Sequence, residues 1–391
     1  MTTEVGAATT TASPPEPPFG SYTPADVTWL LTDLSHVPLE RGTEDREAVI
    51  QGGGHYAEML PVEYQPEAAY LQLFHAALER SAERVALAVG VVAELVARRL
   101  PAGVPAPVLV SLARAGTPVG ILLRRWFALT RGETAPHYTI SIVRGRGIDT
   151  EALRYVLDRH PARELRVVDG WTGKGAIARE LAAALEVAGR GDPRVRDVDP
   201  ELAVVADPGH CTTLFGTRED YLIPSACLNS TVSGLVSRTV LRPDLIGPGM
   251  FHGAKYYAEL APSDVSQLFI DAVCAWMPSV RVQADALATE QAQSSQLPDW
   301  SGWAAVERIA AAHGIEDLTL VKPGVGETTR VLLRRVPWQV LVRPDRAADL
   351  EHVQLLAAER GVPVVKDPTL PYSCVGLIRP RRAALVTGLR S

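Results

Sequence analysis

Val167-Val168-Asp169-Gly170-Trp171-Thr172-Gly173-Lys174-Gly175-Ala176 carries an apolar run into an aspartate and then into a glycine-rich loop ahead of a helical pattern. Strand, acid, tight loop and helix start, in that order, are how α/β proteins build a seat for phosphate. The glycines permit close backbone approach, the helix start offers unpaired N–H groups, and Lys174 adds a cation. Two familiar phosphate loops do not fit. A P-loop needs glycine where Val168 stands and Ser or Thr where Gly175 stands. A dinucleotide fingerprint runs G-x-G-x-x-G, whereas Gly170, Gly173 and Gly175 run G-x-x-G-x-G. An ordinary strand-to-helix turn stays open at this point, with Asp169 as a helix N-cap.

Working outward, Val108-Leu109-Val110-Ser111-Leu112-Ala113-Arg114-Ala115-Gly116-Thr117-Pro118-Val119-Gly120 repeats the pattern: apolar strand, small-residue turn with one arginine, then a helix through Trp126. In an open parallel sheet both turns lie at the carboxyl edge, where ligands bind. Strands are expected at Tyr138 to Val143, Leu165 to Asp169 and Leu202 to Ala206. Helices are expected within Glu67 to Arg99, around Glu151 to Arg159, and from Gly175 to Ala188. That alternation predicts an α/β fold, a parallel sheet flanked by helices.

The paired loops resemble those of the phosphoribosyltransferase fold. His55-Tyr56, Ser111 to Gly120, His137 to Asp149, the glycine loop and Leu222 to Leu235 are similar to bacterial phosphoribosyltransferase-like proteins of tellurite-resistance and stress gene clusters. Those proteins often carry the label cysteine protease StiP and a C-terminal Pelota-type RNA-binding domain. The resemblance implies a transferase using phosphoribosyl pyrophosphate, with Mg2+ carried in on the pyrophosphate and no protein-built metal site. Ala113, Arg114, Ala115, Gly116 and Thr117 would hold pyrophosphate. Asp169, Gly170, Trp171, Thr172, Gly173, Lys174 and Gly175 would cradle the ribose phosphate. Asp169 would bind the sugar hydroxyls, Arg114 the leaving group, and Arg144 and Arg146 would close a clamp, with His137 and Tyr138 as acid/base or stacking groups. The family usually has two adjacent acids, but Val168 precedes Asp169 here. The acceptor is left open.

Length allows about two domains. The expected division is a disordered tail (1–20), a phosphoribosyltransferase-like domain (21–284), a linker (285–300) and a Pelota-like domain (301–391). From Lys322 to Ser391 there are 12 Lys and Arg against 6 Asp and Glu, a net of +6. The whole chain is −6, so the preceding 321 residues carry −12. A basic module on an acidic body suits a polyanionic partner. The segment resembles the α-β-α sandwich of Pelota and kink-turn-binding proteins. The resemblance implies that Lys322, Gly324, Gly326 and Arg330 meet RNA backbone, with Arg379, Arg381 and Arg382 extending the patch.

No apolar run approaches a membrane span, the N-terminus lacks a signal-peptide pattern, and Cys211, Cys227, Cys274 and Cys374 are scattered. A cytoplasmic location is expected, with oligomeric state open to a homo-oligomer. Two other functions stay in play. One is a non-catalytic nucleotide sensor that binds RNA. The other is a cysteine peptidase, with Cys227 ahead of Cys211 as nucleophile.

Overall fold

The computed structural model describes residues 13–379 apart from 17, 43–44, 46–48, 50–52, 295–296 and 335–336. Arg381 and Arg382, and most of the stretch 1–20 read as a tail, lie outside these residues. Phe19, within that stretch, is buried against Trp29.

The centre is a six-stranded parallel sheet formed by β1 (Thr28–Trp29), β2 (Val108–Leu112), β3 (His137–Ile140), β4 (Leu165–Trp171), β5 (Ala203–Ala206) and β6 (Phe215–Thr217). Its spatial order is β1-β3-β2-β4-β5-β6, every neighbouring pair parallel. β2 is buried along its whole length, as its unbroken apolar run requires of a strand covered on both faces. Side chains alternate between two cores. Leu109 and Val168 face one, and Val108, Val110, Leu112 and Val167 face the other.

The first core is covered by α1 (Ala68–Arg98) and α2 (Thr117–Arg131), and beyond them by α5 (Ser266–Cys274) and α6 (Met277–Gln293). The second is covered by α3 (Thr150–Leu157) and α4 (Ala176–Gly191). The segment Glu67 to Arg99 is therefore one helix of 31 residues. It packs so closely on its neighbours that a Cβ at Gly90 would collide with the Trp126 indole and Ala284. Trp126 donates its indole N–H to Glu94 at 3.0 Å, which satisfies a polar atom in the core.

Strand β4 runs two residues past Asp169, because Trp171 pairs with Ala206 of β5. Gly170 and Trp171 thus belong to the strand. The strand expected from Tyr138 to Val143 leaves the sheet after Ile140, and Ile142–Val143 pairs back on Gly147–Ile148 as a hairpin. Helix α6 continues through Gln293, so most of the stretch 285–300 read as a linker is helical.

The C-terminal part builds three layers of its own. A mixed sheet of β7 (Val321–Pro323), β8 (Gln339–Val342), β9 (Val364–Lys366) and β10 (Cys374–Leu377) runs β7-β10-β8-β9. Helix α7 (Ser301–Ala312) packs on one face through Val306 and Ile309. Helices α8 (Val325–Arg334) and α9 (Glu351–Glu359) cover the other through Leu332 and Val353, and that core is continuous with the first core of the N-terminal part. Among the described residues, no helix is long and apolar enough to cross a membrane.

Candidate functional site

The chain leaves β2 for β3 on one side and returns to β4 on the other, so the strand order reverses between β2 and β4. Such a switch point leaves a crevice at the carboxyl ends of the strands. A cleft of about 640 Å³ lies there. Its floor is Leu112 to Ala115, Asp169 and Trp171, one wall is Ser225 to Ser233 with Arg238, and Lys322, Glu327 and Arg330 of the C-terminal part close it. A side pocket of about 160 Å³ is lined by Arg144, Thr172 to Ile177, Lys322 and Glu327.

Asp169 lies in β4 and accepts the Gly170 N–H at 2.8 Å. It is not a helix N-cap, since Gly175, at φ +71°, takes that position on α4. Burial pushes the Asp169 carboxyl up to about 6, against the Gly170 hydrogen bond and the pull of Arg330. Arg114 is in the cleft but already paired, 2.8 Å from Glu63 and donating to Val236 O at 2.9 Å. Glu63 also accepts the Ser230 N–H at 2.7 Å. Burial alone would raise its carboxyl, but Arg114 and Ser230 outweigh burial and hold it below the ordinary carboxylate value.

The expected pyrophosphate loop is divided between the cleft and the packing behind it. Gly116 is required because a Cβ there would lie 2.6 Å from Val168 O and 2.9 Å from Leu112 N. Thr117 is buried with its hydroxyl 3.1 Å from that of Thr139, away from the cleft. Ala113 and Ala115 do line it.

The glycine loop is clamped from two sides. Thr172 donates to the buried Asp207, the Gly173 carbonyl accepts from Tyr372 Oη at 2.8 Å, and Lys174 Nζ donates to Leu318 O at 2.6 Å. Burial, then Lys322 and Arg144, push the Lys174 amine down to about 8, which marks the side pocket as a cluster of cations.

Three expected site residues lie elsewhere. His137 is buried with Nε2 2.7 Å from Ser111 Oγ and Nδ1 2.8 Å from Asp26 O, and burial pushes it down to about 4. It sits at the amino end of β3, opposite Leu109, so the strand carries it away from the cleft. Tyr138 points to His160, 2.9 Å away. Arg146 pairs with Glu58 at 3.3 Å outside both cavities, while Arg144 lines the side pocket.

The residues expected to meet RNA lie at the contact between the two parts. A Cβ at Gly324 would lie 3.1 Å from Asp220 Oδ1, and one at Gly326 would lie 3.4 Å from the Ala226 Cβ. Arg330 donates to Ala226 O at 3.2 Å and covers the Trp171 ring at 4.7 Å. Lys322 lines both cavities.

Glu63, Asp207, Asp220 and Arg218 escaped the sequence reading. Asp207 carried a signal, since it ends the apolar run Leu202 to Ala206 as Asp169 ends its own. In the fold it accepts the amides of Cys211 and Thr212 at 2.8 and 3.0 Å and pairs with Arg218.

All four cysteines are free. Burial pushes both the Cys211 and the Cys227 thiols up to about 12. Cys211 bonds to Gly209 O at 3.2 Å, beneath the glycine loop, while Cys227 lies between cleft-lining Ser225 and Leu228. Among the described residues, no group of three or more His, Cys, Asp or Glu is placed to hold a metal ion.

A family described as tellurite-like stress resistance cysteine protease StiP matches residues 20–274, and one described as PELOTA RNA binding domain matches residues 300–380. A protein named cysteine protease StiP, from Acinetobacter baylyi, is 34% identical over 375 residues, covering 92% of this chain and 94% of that protein. No solved structure matches. These findings overturn the expectation of a phosphoribosyltransferase acting on phosphoribosyl pyrophosphate, because the matching family and relative bear the name of a hydrolase. The loops that suggested a transferase are features of strand ends at a switch point, and such loops serve many chemistries.

Proposed function

The chain belongs to the StiP family of tellurite-like stress-resistance cysteine proteases, and on that premise we propose that it is a thiol-dependent peptidase of stress resistance. Its substrate groove is the cleft between the two parts, and its nucleophile is Cys227. The observation that carries this is the position of Cys227, buried directly behind the cleft wall that its chain neighbours Ser225, Leu228 and Asn229 form. Asn229 stiffens that wall by donating to Tyr64 O at 2.6 Å and capping the next turn. With Arg114 neutralised by Glu63, Arg238, Lys322 and Arg330 supply the positive lining of the groove, so it suits a substrate carrying acidic groups.

In the reaction the Cys227 thiolate would attack the peptide carbonyl carbon, the amine would leave with a proton, and water would hydrolyse the thioester. A thiol at about 12 is ionised in only about one molecule in 10⁵ at pH 7. On this reading the conformation described is a latent one, because Cys227 is buried as well as protonated, beneath Arg330 and α8. The test is hydrolysis of a fluorogenic acidic peptide library by wild type, Cys227→Ala and Cys211→Ala. Loss of turnover in the first variant alone supports the assignment, and full activity of Cys227→Ala sinks it.

A second reading, a sensor that binds an anionic ligand without turnover, is favoured by a separate observation. The described histidines with hydrogen-bond or ion-pair partners engage groups other than cysteine: His55 with Arg144 O, His137 with Ser111, His160 with Tyr138, His210 with Asp299, His252 with Ser141, His313 with Ile309 O and His352 with Thr329. Saturable binding of an acidic ligand with no product from any peptide would select it. RNA binding by the C-terminal part belongs to both readings, and rests on the PELOTA match and the basic charge of that segment.

A further inference from the structure

The start of α8 is occupied by a carboxylate from the other part of the chain. Asp220 is half-buried at the boundary. Its Oδ1 accepts the Val325 N–H at 2.8 Å and its Oδ2 accepts the Ser373 N–H at 2.7 Å. Ser373 returns a hydrogen bond from its hydroxyl to Asp220 O at 2.6 Å. Gly324, at φ +87°, brings the backbone close enough that a side chain would press on the carboxylate. Two convergent amides, a glycine turn and the positive end of a 10-residue helix make a seat for one oxyanion. Lys322 precedes that turn, and Arg330 lies on the same helix.

We infer that Asp220 occupies the seat that an RNA backbone phosphate would take, so that RNA binding through this loop and docking of the two parts exclude each other. The inference rests on the reading that the C-terminal part binds RNA. Phosphate and carboxylate present the same chemistry to the two amides, and only one of them fits. The apolar core runs across the boundary through Ile223, Ala226, Val325 and Leu332, so the docked state prevails without RNA. RNA must then overcome that docking, and its apparent affinity is reduced by the fraction of molecules that are open. Opening would also lift α8 from Ala226, and with it the cover over Cys227.

Binding of a fluorescein-labelled RNA hairpin with an internal loop, at low and moderate salt, tests this on the full chain. Asp220→Ala is expected to tighten binding at least about tenfold. Glu219→Gln removes a neighbouring charge outside the seat, and it should leave affinity within about twofold. A lock covers the case in which Asp220→Ala does not fold. Ala226→Cys with Gly326→Cys places two Cβ atoms about as far apart as a disulfide needs. The oxidised lock should lose RNA binding and regain it on reduction. Equal affinity of wild type, Asp220→Ala and both redox states of the lock overturns the inference while leaving RNA binding intact. No binding by any form, including the reduced lock, removes the RNA reading and the inference with it.

Discussion

Arg114 and Glu63 stand 2.8 Å apart beneath the cleft, with side chains only 13% and 6% exposed. A cation that the sequence offers to a ligand is thus already neutralised by a carboxylate from a segment 51 positions earlier. Arg114 shapes the cleft floor, and the charge facing an incoming ligand comes chiefly from residues of the opposite walls.

Removing one member of that pair leaves the other buried and uncompensated. Glu63→Gln is expected to cost about 3 kcal/mol, read from urea unfolding at pH 7. Because the folded Glu63 carboxyl lies below its ordinary value of 4.5, its contribution is complete above that value and is lost as pH falls through the folded one. The gap between wild type and variant should therefore close in acid, and a gap unchanged down to pH 3 would contradict the pairing.

Asp169 works in the opposite direction. Its folded value of about 6 exceeds the unfolded 3.8, so the native state holds a proton more tightly and loses stability as pH rises from about 4 to 6. Asp169→Asn is expected to match wild type near pH 4 and to exceed it by about 1–2 kcal/mol at pH 7.5. Thermal melts at the two pH values measure this, and equal differences at both would show that the carboxyl is not perturbed.

The Cys227 thiol rises from an ordinary 9.0 to about 12, which lowers its thiolate fraction near neutral pH about a thousandfold. Alkylation by iodoacetamide at pH 7.5, followed by peptide mass mapping, should leave Cys227 unmodified long after a free thiol has reacted. Under the docking inference, Asp220→Ala or added RNA hairpin speeds that labelling. Rapid labelling of the wild type alone would show that the latent state does not hold.

Gly90 of α1 faces the Trp126 indole with no room for a methyl group. Gly90→Ala raises helix propensity, which would stabilise an exposed site by up to about 1 kcal/mol. Overpacking here is expected to outweigh that gain and leave a net loss of about 1–2 kcal/mol by chemical unfolding. A neutral or stabilising result would show that α1 and α2 can separate without penalty.

Local order was readable because it depends on neighbours in sequence. The apolar runs at Val108 and Leu165 became central strands, the small-residue helix at Ala68 formed as one piece, and the glycine turn before Ala176 starts α4. The family resemblance also lay in contiguous strings, and the matches agree with its tellurite-stress and Pelota parts but not with its phosphoribosyltransferase part. Two short edge strands, Thr28–Trp29 and Phe215–Thr217, gave no usable signal, since two or three residues carry no period.

By itself, then, the sequence determined a parallel α/β body with a basic appendage and the loops that would meet at the sheet edge. Only the tertiary structure decided which charges were already spoken for. Arg114 meets Glu63 and Thr172 meets Asp207 within the body, while Gly324 and Val325 meet Asp220 from the other part of the chain. Partners so far apart in sequence leave no local pattern, because burial and hydrogen bonding select them through space. The same burial that holds Cys227 un-ionised separates a residue type suited to catalysis from a residue ready to perform it.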